Sequence, residues 1–457
     1  MQPMKLLLRV GIAKVTRAAP LAPPEHEILE RRELTLGVPT CVRIPPDLEH
    51  DFLVHRSPAY VEPMVLGTAR EAARALLGSK PPVLASPQEL ASVALRGPMA
   101  WRTERDEERG VWVTDLSPMQ GHRFFVPHAA EIARFEHDEE RGHFVIFDRD
   151  GRGIRAGDPR WDGARSKLAG QLAVHIPAGA HSWVHFWIPD VVAARLWTTM
   201  PRDTMLYRLL APHFRFTCRI NMQALWIQKS TDNAPDGKRR LVPWLSFPFY
   251  KDDFRAAVAS DVGAHYEAHP HLPDLIGELD QRLPYFKFLV AYHEEIRRFV
   301  DAIADELERD VWERFAADVE PWYPGFSQGG MEETIARLIW QVGVVHLTDH
   351  HSYLPWARRH GHSDLGSTAD DLGRRGPSRY DTYRFRCFLN VFVQFHPSKT
   401  GLDQRLVNTA AYGFPHGSEA NAEALRFADR LRALDQRLAA DGLQIQPVDA
   451  LIQSVCF

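Results

Sequence analysis

The segment from Glu333 to Trp356, E-T-I-A-R-L-I-W-Q-V-G-V-V-H-L-T-D-H-H-S-Y-L-P-W, decides the fold. Its first half is almost uncharged, and apolar residues lie on all sides of the helix that it predicts. A helix with this pattern is buried all round, which places it at the centre of a large domain. Its second half carries His346 and His350, which are four residues apart and therefore share one helix face. This spacing is typical of two ligands to one metal ion.

A second histidine-rich segment lies upstream, H-I-P-A-G-A-H-S-W-V-H-F-W, residues 175–187. Pro177 suits the first turn of a helix, so His181 and His185 are also predicted four apart on one helix face. Two such pairs would bring four neutral imidazoles to one point, a donor set that suits iron, manganese, zinc or copper. For each of these histidines, a structural role in the core is the alternative interpretation.

The composition is that of a globular protein, with 457 residues of which 45% are hydrophobic and 25% are charged. A formal net charge of -4 gives no general attraction to nucleic acid, so we expect no nucleic-acid partner. Four cysteines without a C-x-x-C motif fit a reducing compartment. No apolar run has the length of a transmembrane helix. We therefore expect a cytoplasmic protein with, at most, peripheral membrane contact.

The chain divides into two predicted regions that we expect to form one structural unit. Residues 1–110 are proline-rich and irregular apart from a helical patch at 69–77, and they predict an arm or cap packed on the core. Residues 111–457 predict the main domain, which begins with short strand-like runs and a turn at 151–153. The strand-like runs are residues 111–116, 123–127 and 143–147.

Long helices are predicted over most of the rest of the chain, because apolar residues recur at helical spacing. The predicted helices are 161–174, 181–197, 204–226 with an interruption near Pro212, 286–315, the central helix 333–356, and 420–440. The fold class that follows is mainly α, with a minor β region in the N-terminal third. The two histidine pairs would lie on two of its central helices.

Several segments, in order along residues 110–457, resemble the lipoxygenase family. The central helix looks like the family helix that carries a third histidine ligand and, four residues on, an asparagine or histidine ligand. Residues 209–221, L-L-A-P-H-F-R-F-T-C-R-I-N, are similar to the family signature L-L-x-P-H-x-R-x-T-x-x-I-N. Residues 158–167 resemble the stretch that enters the first metal helix. The ending L-Q-I-Q-P-V-D-A-L-I-Q-S-V-C-F resembles that of the family, whose terminal carboxylate binds the metal.

The resemblance implies a helical catalytic domain without the family's separate N-terminal β-barrel, and a non-heme iron cofactor with manganese as the alternative metal. The metal ligands that it implies are His181, His185, His346, His350 and the terminal carboxylate of Phe457. His175 stays open as a rival to His185, because the first two family ligands are five residues apart and the spacings available here are four and six. A terminal Phe in place of the family's Ile changes packing more than ligation by a backbone carboxylate.

The implied reaction is oxygenation of an unsaturated fatty acid, or of a lipid-like or other apolar small metabolite, by dioxygen. A metal-bound hydroxide, with no separate side-chain base, would take hydrogen from a weak C–H bond. Arg215, Asn221 and Asp349 are expected to orient ligand histidines or to hold helix ends. Large apolar residues near the histidines are the expected lining of the substrate pocket: Trp183, Phe186, Trp187, Trp340, Leu347, Tyr353 and Trp356.

Two other functions remain open. The first is a different metal enzyme on the same scaffold, such as a zinc hydrolase, although the sequence contains no H-E-x-x-H motif. The second is a non-catalytic protein that binds an apolar ligand or a partner. Metal content and oxygen consumption distinguish the three.

Overall fold

The computed structural model describes residues 29–31, 39–41, 83–120, 131–176, 182–186, 188–218, 221, 274–360 and 403–454. Within these ranges helices dominate, and a small antiparallel sheet lies in the N-terminal part, so the predicted mainly α fold with a minor β region is confirmed. The helical patch at 69–77 and the strand-like run at 123–127 lie outside the described residues. Among the helices described, none is both long and apolar enough to cross a membrane.

The strands form one short pair and one five-stranded antiparallel sheet in which each strand pairs with the next along the chain. The strands are β1 Leu29–Arg31, β2 Pro39–Cys41, β3 Thr103–Asp106, β4 Val111–Asp115, β5 Ile132–Asp138, β6 His143–Asp148 and β7 Gly153–Ile154. The β3–β4 hairpin spans residue 110, where we expected the arm to end. The run I-A-R-F-E-H-D of β5 gave no strand signal because its charges interrupt the apolar alternation, and Glu136 is held there by Arg109 and Arg134.

The described ranges contain eleven α-helices. They are α1 Pro87–Leu95, α2 Trp161–His175, α3 Ser182–Phe186, α4 Pro189–Thr199, α5 Met205–Phe214, α6 Asp274–Gly277, α7 Pro284–Ile303, α8 Arg309–Val319, α9 Met331–Trp340, α10 His346–His360 and α11 Glu419–Ala440. A π-helical segment, Gln341–Val345, joins α9 to α10 without a break. The central helix therefore runs from Met331 to His360, longer at both ends than predicted.

Local signals set several helix starts. Ser86 and Glu89 form a capping box on α1, in which each side chain accepts from the backbone N–H of the other residue. The hydroxyl groups of Thr204 and Ser418 accept backbone N–H groups in the first turns of α5 and α11. Pro284 occupies the first turn of α7, where a missing N–H costs nothing.

The predicted single helix over 181–197 is wrong, because the chain turns between α3 and α4. Ile188 has φ 73°, a left-handed conformation that is rare for a β-branched residue, and Pro189 starts the next helix. Proline disfavours the right-handed helical conformation in the residue before it, so it interrupts the helical pattern at this point. Because buried apolar residues lie on both sides of the turn, the helical spacing of apolar residues continues across it and gave no sign of the break.

The predicted helix over 286–315 is likewise two helices, α7 and α8, separated by a 3-10 turn at Ala304–Glu306. Two carboxylates near the break cap other helices. Glu308 accepts the N–H groups of Met205 and Leu206 at 2.9 and 3.1 Å, and Glu306 accepts that of Ala420 at 2.8 Å. The break thus fixes the N-termini of α5 and α11, where negative charge is favourable.

The core surrounds the central helix. Residues 334–349 are all buried, and α7 packs against both α9 and α11. The π segment contacts α3, α5 and α7, whereas α10 packs on α2 through a hydrogen bond of 2.6 Å from the Tyr353 hydroxyl to the Ala173 carbonyl. Residues from Ala85 to Ala100 belong to the same hydrophobic core. The fold thereby brings α2, α3, α5 and α10 together around one buried region.

Candidate metal centre

His185 on α3 and His346 on α10 meet in the interior. Their ring centroids are 4.8 Å apart and the rings are nearly perpendicular, at 79°. The His346 side chain is fully buried, and His185 is 8% exposed. Two imidazoles from different helices thus lie in contact at one buried location, and two histidine ligands of a shared metal ion must be adjacent in this way.

Asn221 fixes the orientation of His185. Its amide Nδ2 donates to the carbonyl oxygen of His185 and to the carboxylate of Asp190, both at 2.6 Å. Its Oδ1 therefore faces Nδ1 of His185, at 3.0 Å, and accepts a hydrogen from it. In a neutral imidazole with the hydrogen on Nδ1, the lone pair is on Nε2, and that nitrogen is the one able to bind a metal.

The π segment before His346 ties the two histidine helices together. Gln341, buried at its start, donates from Nε2 to the Val184 carbonyl of α3 at 3.4 Å. A π turn inside an α-helix is frequently found at a functional site. Gly343, two residues further on, leaves room for the end of the chain, since a Cβ there would lie 3.0 Å from the carbonyl oxygen of Ile452.

The C-terminal segment, residues 451–454, enters the core beside this helix. The Leu406 N–H donates to the Leu451 carbonyl at 2.9 Å, and the Gln453 N–H donates to the Gln404 carbonyl at 2.8 Å. Nδ1 of His213 donates to the Gln453 carbonyl at 2.7 Å. Ser454 is fully buried. The last described residue, Ser454, therefore lies in the interior of the protein.

His213, of the L-L-A-P-H segment, is a structural histidine. Nδ1 bonds the C-terminal segment, and the Tyr412 hydroxyl donates to Nε2 at 3.2 Å. Complete burial lowers its pKa to about 4, although the bond to Gln453 opposes the shift. His213 is accordingly neutral and joins α5 to the last segment of the core.

The other predicted ligands are described only in part. His181 and Phe457 lie outside the described residues, and for His350 only the helical backbone of α10 is described. His175, the rival ligand, is buried at the C-terminal end of α2. Among described residues the structure shows no group of three or more histidine, cysteine or acidic side chains placed to bind a metal.

The predicted pocket residues lie in the core. Trp183, Phe186, Trp340, Leu347 and Tyr353 are all buried, Trp356 is half-buried, and Trp187 lies outside the described residues. The polar atoms of two of them already join helices. The Trp340 indole donates to the Leu289 carbonyl at 2.7 Å, and the Tyr353 hydroxyl bonds α2.

The three residues predicted to support the ligands have different positions. Asn221 holds His185, as described above. Asp349 is buried, and its burial raises its pKa well above the usual range, even though a hydrogen bond from Trp101 acts in the opposite direction. Arg215 lines a surface cleft, with its guanidinium 5.6 Å from the Phe216 ring centre.

Sequence reasoning missed three residues that the structure places around the histidine pair. Asp190 looked like an ordinary acidic residue in the first turn of a helix, and nothing in its spacing pointed to Asn221. Gln341 was a rare polar residue in an apolar run, and that signal was available. Trp101 packs edge-on against Trp183 with ring centroids 5.1 Å apart, and it comes from the N-terminal region where no periodic pattern was visible.

No protein-family model matches the sequence, and neither does any curated protein. Solved structures do match. An engineered lipoxygenase has a TM-score of 0.66 and 13% identity, and the match covers 98% of this chain and 81% of that chain. A 9R-lipoxygenase from Cyanothece has a TM-score of 0.59 and 11% identity, covering 96% and 76%.

A fungal lipoxygenase from Fusarium graminearum has a TM-score of 0.59 and 11% identity, covering 98% of this chain and 88% of that chain. At such identities the likeness concerns the fold. The fold of this chain is therefore that of the solved lipoxygenases.

Proposed function

We propose that this chain is a non-heme iron dioxygenase that acts on an unsaturated lipid or a similar apolar metabolite in the cytoplasm. The observation that carries the proposal is the buried contact between His185 and His346, on two helices of a lipoxygenase fold. A pair of imidazoles in contact in a buried interior suits a transition metal.

The proposed ligand set is His181, His185, His346, His350 and the carboxylate of Phe457. Helix α10 carries His350 one turn after His346, and residues 451–454 lie in the core beside the π segment. His175 remains the alternative to His185 as the ligand that accompanies His181. The donor set that the structure describes, two buried imidazoles of which one is fixed in the Nδ1–H tautomer, fits iron and also manganese.

With the metal bound, the site would gain the one-electron acceptor needed to break a weak C–H bond, such as that of a methylene between two double bonds. The protein's own contributions are positional. Asn221 and Asp190 hold His185 in one orientation and one tautomer. Gln341 keeps α3 against the π segment. Burial of His346 excludes water that would compete for the metal or the substrate.

We assign the substrate an apolar location beside these helices. Trp183 and Phe186 flank His185 in sequence, and Leu347 follows His346; all three are buried. An unsaturated acyl chain needs such walls to hold one carbon near the metal and to admit dioxygen from one side. The selectivity of the reaction would then depend on these side chains.

The test begins with elemental analysis of the purified, untagged protein. We expect about one iron per chain, and a severe loss in His346→Ala. His416→Ala replaces an exposed histidine and should keep the wild-type content. A chain with one glycine added after Phe457 should lose metal, whereas Phe457→Ala, which keeps the terminal carboxylate in place, should retain it.

Oxygen consumption with linoleate and arachidonate completes the test, with product hydroperoxides measured. Iron without hydroperoxide from either acid would remove the fatty-acid substrate and leave the small metabolite. Stoichiometric zinc without oxygen uptake would favour a hydrolase. A wild-type protein that holds no metal and tolerates the added glycine would contradict the metal centre.

A further inference from the structure

A cleft of about 500 Å³ opens on another part of the molecule, between α5, the end of α4 and the segment from Asp403 to Tyr412. Its volume is that of a site for a small organic molecule. The described histidines that we assign to the metal are not among its lining residues. The lining residues are Trp197, Arg202, Tyr207, Arg208, Ala211, Pro212, Arg215, Asp403, Gln404, Asn408, Ala410, Ala411, Tyr412 and Gln453.

The charge of this lining is positive. Arg202, Arg208 and Arg215 contribute three guanidinium groups, against one carboxylate, that of Asp403. That carboxylate is bound in a two-pronged contact by Arg405, at 2.9 and 2.7 Å. Its charge is thereby largely balanced, and among the residues that line the cleft the arginines outnumber the carboxylate. Arg208 also donates to the Gly413 carbonyl oxygen.

Aromatic and apolar residues make up part of the remaining lining: Trp197 at the end of α4, Tyr207, Ala211 and Pro212 on α5, and Ala410, Ala411 and Tyr412. The rest of it consists of the amide side chains of Gln404, Asn408 and Gln453. Guanidinium groups next to aromatic rings form a site for a molecule with a charged end and an apolar body. A free inorganic ion would use only the arginines.

We propose that the cleft binds a small organic oxyanion, a carboxylate or phosphate carried on an apolar body. Arginine binds both groups through paired N–H donors. The cleft also includes Gln453, whose side-chain amide donates to the Asn408 carbonyl at 2.9 Å. A bound anion would therefore rest on the C-terminal segment itself. The proposal concerns binding alone and does not depend on the metal centre.

Isothermal titration calorimetry on the full chain tests the proposal, with octanoate, octyl phosphate, inorganic phosphate and the neutral 1-octanol as probes. We expect one site for octanoate or octyl phosphate, weaker binding as salt rises, and no binding of 1-octanol. Comparison of octanoate with octyl phosphate, which carries a similar apolar body, identifies the headgroup. If inorganic phosphate bound with the same affinity as either organic anion, the result would contradict the need for an apolar body.

Matched variants localise the site. Arg202→Gln and Arg215→Gln should each weaken binding about tenfold, the loss of one charge-assisted contact. Arg202 is exposed, so its replacement leaves the core intact. Asp403→Asn should tighten binding about threefold by removing the one negative charge. Arg314→Gln is the control, because Arg314 forms an exposed salt bridge with Asp310 outside the cleft, and it should keep wild-type affinity.

Wild-type affinity in both Arg202→Gln and Arg215→Gln would overturn the proposal, as would the absence of any organic-anion binding at millimolar concentration. His346→Ala separates this site from the proposed function: it should lose metal while keeping wild-type affinity for the anion. A coupled loss of both would place the anion at the metal centre instead.

Discussion

The Nδ1 atom of His185 lies 3.0 Å from Oδ1 of Asn221, and the same amide group donates to the carboxylate of Asp190. The two donor bonds leave only one orientation for the amide, which in turn leaves only one tautomer for the imidazole. A side chain 36 residues later in sequence thus decides which nitrogen of His185 can bind a metal.

We predict that Asn221→Ala lowers iron affinity by about 10- to 100-fold, because His185 then loses both its tautomer and its orientation. Competition with a chelator, followed by metal analysis, measures the affinity. Asp190→Asn keeps an oxygen acceptor for the Asn221 amide and should change affinity only a few-fold. An Asn221→Ala protein with wild-type metal affinity and wild-type stability would refute this role.

We predict that Gly343→Ala destabilises the protein by about 1–2 kcal/mol, even though alanine is the better helix former. The new methyl group would lie 3.0 Å from the Ile452 carbonyl oxygen, in a segment held by hydrogen bonds on both sides. Chemical denaturation gives the free energy of unfolding. Gly170→Ala is the matched control, since a Cβ at that helical position meets nothing within 4 Å, and it should be neutral or stabilising. Equal effects at the two positions would contradict the close approach.

Glu333 makes the free energy of unfolding depend on pH in the acidic range. Burial alone would raise the pKa of Glu333, but His293 at 3.1 Å and Arg297 at 2.6 Å lower it to about 2. Because the unfolded value is about 4.3, the contribution is complete above that pH and is lost as pH falls towards 2. Glu333→Gln should cost about 1–3 kcal/mol at pH 7, and its difference from wild type should vanish near pH 2. Asp310→Asn, in an exposed pair with Arg314, should cost less than about 0.5 kcal/mol at either pH.

His213 makes the free energy of unfolding depend on pH in a higher range than Glu333 does. Its pKa is about 4 in the folded state and about 6.5 unfolded, so the unfolded chain binds more protons between these values. Stability should therefore fall as pH drops from 6.5 to 4, by at most about 3 kcal/mol from this residue. His137, which burial likewise shifts to about 4, adds to the same slope.

The measurement is the free energy of unfolding across this range. His213→Gln should be less stable at pH 7 and show a shallower slope. Tyr412→Phe removes the hydroxyl that bonds Nε2 but leaves His213 buried, so it should cost about 1 kcal/mol with the slope retained. An unchanged slope in His213→Gln would assign the acid sensitivity to other groups.

Much of the fold followed from helical periodicity. The central helix, α2 and α11 were predicted close to their observed limits. The breaks at Ile188 and Ala304–Glu306 were missed. The break at Ala304–Glu306 is accompanied by contacts between distant elements, such as the Glu308 carboxylate on α5, which no local window contains. The break at Ile188 has a local signal in Pro189, which the apolar residues on both sides concealed.

The candidate site shows the same division. Spacing of four residues identified His185 and His346 as candidates, but only the packing of α3 on the π segment brings the two rings together. Asp190 and Trp101 could not be predicted, because their roles arise from neighbours in space rather than in sequence. The arginine cleft was not predicted either, since its three arginines lie on or beside one helix, α5, and the residues that face them come from 403–412.

The position of residues 451–454 has a consequence for biosynthesis. These residues pack on α5 and the central helix, and the bond from His213 to Gln453 joins positions 240 residues apart. During translation, both helices leave the ribosome long before their last partner is made. Until then the central helix lacks the segment that packs beside Gly343. Completion of this part of the core is therefore a late event in the synthesis of this protein.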